Sequence, residues 1–135
     1  MAGRYDKYDP KSGGFRAPLA ASMDASDTPL GVGLNSSGQV VPGAGNTGVI
    51  GVLILTKDKA AGVPVDVMTA GECVEMAGLT AGTVITADTS DGEIGDDAVA
   101  PDKVAIGFTV EATRLIVRTG VLQYDADTLE DEENL

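Results

Sequence analysis

Residues 64–88, PVDVMTAGECVEMAGLTAGTVITAD, decide the fold class of this chain. Val65 and Val67 alternate with Asp66, Val74 and Met76 flank Glu75, and Val84, Ile85 and Thr86 are all β-branched. A period of two is the pattern of a half-buried strand, and β-branched side chains suit a pleated surface. Thr-Ala-Gly occurs at 69–71 and again at 80–82, and each glycine can supply the positive φ of a tight turn. The stretch therefore predicts three short strands joined by two glycine turns, a β-meander. It contains no His, no Trp and no nucleophile–base pairing, so its content is architectural.

Working outward, the same pattern recurs on both sides. GVGL (31–34) and QVV (39–41) flank Asn35-Ser36-Ser37-Gly38 as a hairpin. The run 49–55, VIGVLIL, is apolar on both faces and predicts the central buried strand. Residues 103–110 predict another strand, with Gly107 as a bulge or a point of close approach. In 114–119, Leu115 and Val117 share one face while Arg114, Ile116 and Arg118 share the other. Arg114 and Arg118 are candidate subunit contacts, and a solvated sheet edge is the plain alternative. Eighteen glycines, an aromatic content of 4% and a hydrophobic content of 43% agree with an all-β domain, a small barrel or sandwich with an aliphatic core.

The two ends read differently. Residues 1–30 hold Pro10, Gly13, Gly14, Pro18 and Pro29 with no sustained period, which predicts an extended N-terminal arm. Three of the chain's five aromatics, Tyr5, Tyr8 and Phe15, fall in it. Together with Leu19 and the cations Arg4, Lys7, Lys11 and Arg16 they are candidate docking residues. The body runs from 31 to 122. Residues 123–135 form an acidic tail carrying six carboxylates and no base, expected to be disordered.

Charge and composition narrow the function classes. The net charge is −12, unevenly spread, with +2 over residues 1–16 and −6 over the tail. Such acidity argues against a phosphate-backbone partner, which requires clustered Lys and Arg. The longest apolar run falls far short of the roughly 20 residues of a membrane helix. No apolar h-region follows the N-terminal MAGRYDKYDPK. The single Cys73 excludes an intrachain disulfide, and with no His or basic neighbour in sequence it reads as an inert core thiol.

Two motif-like patterns carry no site. Residues 43–48, GAGNTG, fit G-x-G-x-x-G, but a strand-like run follows where a dinucleotide fold needs a helix. The acidic loop with Asp88, Asp91, Glu93, Asp96 and Asp97 fails the spacing of an EF-hand. The absence of His excludes the usual Ser-His-Asp and Cys-His arrangements. No metal, cofactor or enzymatic activity is expected.

The segments RYDKYDPKSGGFRAPLA, GVGLNSSGQVVPGAGNTGVIGVLI, VDVMTAGECVEMAGLTAGTVITAD and AIGFTVEATRLIVR together resemble the head decoration, or capsid cement, proteins of tailed phages infecting actinobacteria. The likeness spans about residues 4–119. It implies a structural virion protein, made in the host cytoplasm and seated on the outer capsid surface. It further implies the major capsid protein as partner and a homotrimer at local threefold positions. The family offers no catalytic residue to carry over. A second class, a surface-displayed carbohydrate or receptor-binding module, is weakened by the scarcity of stacking rings on the body, where only Phe108 and Tyr124 remain.

Overall fold

The computed structural model describes residues 13–119. Tyr5, Tyr8, the cations Arg4, Lys7 and Lys11, and the acidic tail lie outside the described residues. Within them the chain is all-β, with ten strands and one 3₁₀ turn, Ala25–Asp27. The strands are β1 Gly14–Pro18, β2 Leu30–Leu34, β3 Val40–Pro42, β4 Gly51–Leu53, β5 Pro64–Met68, β6 Ala70–Cys73, β7 Val84–Asp88, β8 Ile94–Gly95, β9 Lys103–Glu111 and β10 Arg114–Arg118. They form two antiparallel five-stranded sheets, ordered β1-β5-β4-β2-β3 and β6-β10-β9-β7-β8.

The first sheet curls until its edges meet. Leu19, directly after β1, bridges Val40 of β3, and the Ala20 amide donates to the Val40 carbonyl at 3.0 Å. The closed end surrounds a core of Leu19, Val32, Val40, Leu53, Val65 and Val67, with Met23 and Leu55 completing it. A second core joins Val49 and Val52 of the first layer to Cys73, Ile85, Ala87, Ile106, Leu115 and Val117 of the second. The run 49–55 is thus the central strand its apolar pattern predicts, because Val52 faces one core and Leu53 the other. Gly31 permits the two layers to approach, since a Cβ there would lie 2.6 Å from the Ala87 Cβ.

The expected meander is not one. β5 belongs to the first sheet and β6 to the second, while β10 and β9 separate β6 from β7. Thr69 is the crossing residue, held by the Gly13 carbonyl on its amide and by the Thr119 amide on its carbonyl. Gly71 lies within β6 rather than in a turn, whereas Gly82 adopts the expected positive φ of 65°. Val74 and Met76 do not form a strand. Glu75 takes φ 61°, which breaks the extended run, and the Met76 amide turns to the Thr113 carbonyl instead.

Part of the expected arm is strand. Residues 14–18 are β1, paired along their whole length with β5, and Leu30 opens β2. Strands of the body therefore include residues 14–18, ahead of the expected boundary at residue 31. Pro18 does not prevent this, since a proline is tolerated at the end of an edge strand where its missing N–H removes no ladder bond.

Candidate interaction surface

The second sheet has one covered and one bare face. Leu115 and Val117 point into the core, so Arg114, Ile116 and Arg118 point outward. Pairing register extends this into a row across four strands. Glu72 of β6 faces Ile116 of β10, Ile116 faces Phe108 of β9, and Phe108 faces Val84 of β7. Phe108 remains 43% exposed and Val84 52%, and Val110 is exposed beside them at the bulge next to the β9–β10 turn. Gly107 is the close-approach point the sequence indicates, because a Cβ there would run into the Ile116 backbone.

Charges frame the row. The Arg114 guanidinium donates from Nη1 to Glu72 Oε1 at 3.2 Å and from Nη2 to Glu111 Oε1 at 3.3 Å. Arg114, a candidate subunit contact, pairs with acidic groups of its own chain, on an internal strand rather than an edge. Arg118 is exposed and has no ion pair among the described residues.

The docking residues expected in the arm separate into three kinds. Leu19 is fully buried at the closure of the first sheet and is a core residue, not an exposed anchor. Phe15 packs against the same core and is half-buried. Arg16 is exposed, but its Nε and Nη2 donate to both carboxylate oxygens of Asp66, at 2.9 and 3.1 Å. That bidentate bond raises the Arg16 pKa and lowers that of Asp66. Arg4, Tyr5, Lys7 and Tyr8 lie outside the described residues.

The acidic loop is organised by hydrogen bonds and a lysine. Asp88 Oδ1 accepts the Ser90 hydroxyl and the Ser90 amide, while Lys103 Nζ sits 3.1 Å from Asp88 Oδ2 and 3.5 Å from Asp97 Oδ2. The Ser90 bonds, then Lys103, hold the Asp88 carboxyl far below the usual carboxylate range. Buried Thr86 donates to the Asp97 carbonyl at 3.0 Å, tying the far side of the loop to β7. Burial pushes the Cys73 thiol up, against a nucleophilic role. The 43–48 loop folds back by a Leu34–Gly45 bridge and leads to β4, as its strand-like sequel indicates.

The row Val84–Phe108–Ile116 escaped the sequence reading. Phe108 alternates visibly within its strand, but its neighbours come from strands 24 residues before and 8 after it, and only the register unites them.

These features define a two-layer all-β protein whose inner layer closes on itself and whose outer layer presents a bare apolar face. The same fold occurs in a solved chain of Mycobacterium phage Patience, with a TM-score of 0.71 at 20% identity, over 90% of this chain and 97% of that one. No family model and no curated protein matches the sequence.

Proposed function

We propose that this chain is a non-catalytic virion protein that decorates the outer face of an icosahedral phage capsid and joins major capsid subunits. The observation that carries this reading is the bare face of the second sheet. A row of exposed Phe108 and Val84 with half-buried Ile116, ending near the exposed Arg118, fits a partner offering apolar side chains and a carboxylate. The phage origin of the fold neighbour and the resemblance of the segments quoted above support the capsid as that partner. Copies group around local threefold positions, where one shell subunit's surface meets the next. Residues 1–12, with Tyr5 and Tyr8, add a tether beyond the docked body.

Purified particles provide the test. The protein co-sediments with virions at several hundred copies each, near the abundance of a shell protein, and density for it lies outside the shell at local threefold positions. Absence from washed particles, or a few copies confined to the tail, overturns the reading.

A further inference from the structure

The second sheet leaves a strip of the first uncovered. Val52 and Met68 turn toward the second sheet and pack with its core, and β6 is the last strand on that side. Beyond β6 a groove of about 560 Å³ stays open over β1, β5 and β4, lined by Val52, Met68 and Ile54, which is 46% exposed. The charges on its rim are already satisfied. Arg16 binds Asp66, and Glu72 is held by Arg114.

The backbone of β6 borders this groove. The Thr119 amide donates to the Thr69 carbonyl, and alternation along an antiparallel ladder makes Gly71–Val117 and Cys73–Leu115 the next hydrogen-bonded pairs. Ala70 and Glu72 therefore aim their amides and carbonyls away from β10. The Ala70 amide bears this out by donating to the Gly13 carbonyl at 3.3 Å. Among the described residues none bonds the Glu72 amide or its carbonyl. The other sheet edges are guarded. β1 and β3 carry Pro18 and Pro42 and meet through Leu19, and β8 has two residues. β6 has neither proline nor lysine and is exposed from Ala70 to Glu72.

We infer that an extended segment of the shell subunit adds to β6 as a further strand of the second sheet, bonding the Glu72 amide and carbonyl and laying an apolar side chain on Ile54 and Met68. The inference rests on the decoration reading for the identity of the partner. An added strand lies about 4.8 Å beyond β6, in a sheet about 10 Å from the first, and so covers the open strip. Its side chains alternate. Those turned inward meet Ile54 and Met68, and they are apolar because no rim charge is left to pair with. Those turned outward prolong the row that runs from Val84 through Phe108 and Ile116 to Glu72, so edge and bare face form one seat. Backbone bonds supply affinity here, and the inward groove selects the side chain. A second copy offers no such strand. Its β6 carries the same Gly13 at Ala70, which limits the overlap of two such edges, and its other edges are guarded.

The test uses the full-length protein and purified particles stripped of it. Glu72→Pro deletes the outward N–H and spares the β10 ladder, which runs through Gly71 and Cys73. Glu72→Ala removes the same side chain and keeps the N–H. Re-binding is expected to weaken about tenfold or more for Glu72→Pro and less than about threefold for Glu72→Ala. Equal binding of the two variants overturns the inference and leaves the decoration reading standing, because the unmodified chain still binds. Failure of the unmodified chain to bind overturns both. Amide hydrogen exchange read at Glu72 needs no variant. It is expected to be fast in the free protein and slowed at least about tenfold on the particle. Slow exchange already in the free protein means that the chain itself or a second copy covers the edge, and overturns the inference, as does fast exchange on the particle.

Discussion

The two sheets of this molecule each set five antiparallel strands side by side and put them to opposite ends. The first curls until Leu19 meets Val40 and turns its aliphatic residues into an interior of its own. The second stays open, borrows its core from the first through Val49 and Val52, and leaves Phe108 and Val84 bare beside a half-buried Ile116. What separates them is closure. A sheet that closes buries its inner face by itself, whereas an open sheet lying on a neighbour leaves its other face to solvent, and a bare apolar face marks where a partner fits.

The strongest way to break this comparison is to remove the residue that closes the first sheet. Leu19→Ala leaves a cavity at the centre of that core and is expected to cost about 2–5 kcal/mol. In a domain of this size the melting temperature then falls by at least about 8 °C. A loss under about 1 kcal/mol in denaturant titration means that the Leu19–Val40 contact is incidental and the first sheet is as open as the second.

A smaller effect sharpens the border between the sheets. Gly31→Ala places a methyl 2.6 Å from the Ala87 Cβ and 3.1 Å from Val49 Cγ1, where neither layer has room. Overpacking of this kind costs about 1–3 kcal/mol. A neutral result in thermal unfolding shows instead that the layers slide apart easily.

The third effect sets a carboxylate of the second sheet against one of the first. The folded-state pKa of Asp88 is depressed by Ser90 and Lys103, so its contribution is fully present above the unfolded carboxylate value of about 3.9 and is lost as pH falls below it. Asp66, depressed by Arg16, adds the same sign on the first sheet. The melting temperature should fall from pH 5 toward pH 2, and Asp88→Asn should flatten that slope more than Asp66→Asn, whose pair is far more exposed. Equal slopes for both variants remove the distinction.

Most strands of both sheets are legible in the sequence, because alternation and β-branched residues report local burial. Residues 30–34, 51–53, 64–68, 84–88 and 114–118 all fall where the pattern puts them. The partition into two sheets is not legible. Nothing about Thr69 announces a crossing, since its role is fixed by backbone bonds to Gly13 and Thr119, which are 56 and 50 residues away. β1 was hidden for a different reason. Gly14 and Pro18 look like breakers, yet an edge strand tolerates both. Its position in a breaker-rich stretch makes Leu19 look like an arm anchor, whereas it is the stitch that closes the first sheet. The bare row shares the difficulty of Thr69, because its members meet only through register.

The smallest expected effect on stability bears on the central claim, that the open sheet's bare face seats the protein on a capsid. Phe108→Asp alters an exposed side chain and should change folding stability by no more than about 0.5 kcal/mol. If Phe108 anchors the docked face, its loss should cost about 2 kcal/mol or more of binding, roughly a 30-fold weakening. The decisive measurement is therefore re-binding of purified Phe108→Asp protein to particles stripped of it, beside the unmodified chain. Normal melting with binding weakened at least about 30-fold is the result expected here. Normal melting with undiminished binding would contradict the account, because the face would then be bare without serving as the seat.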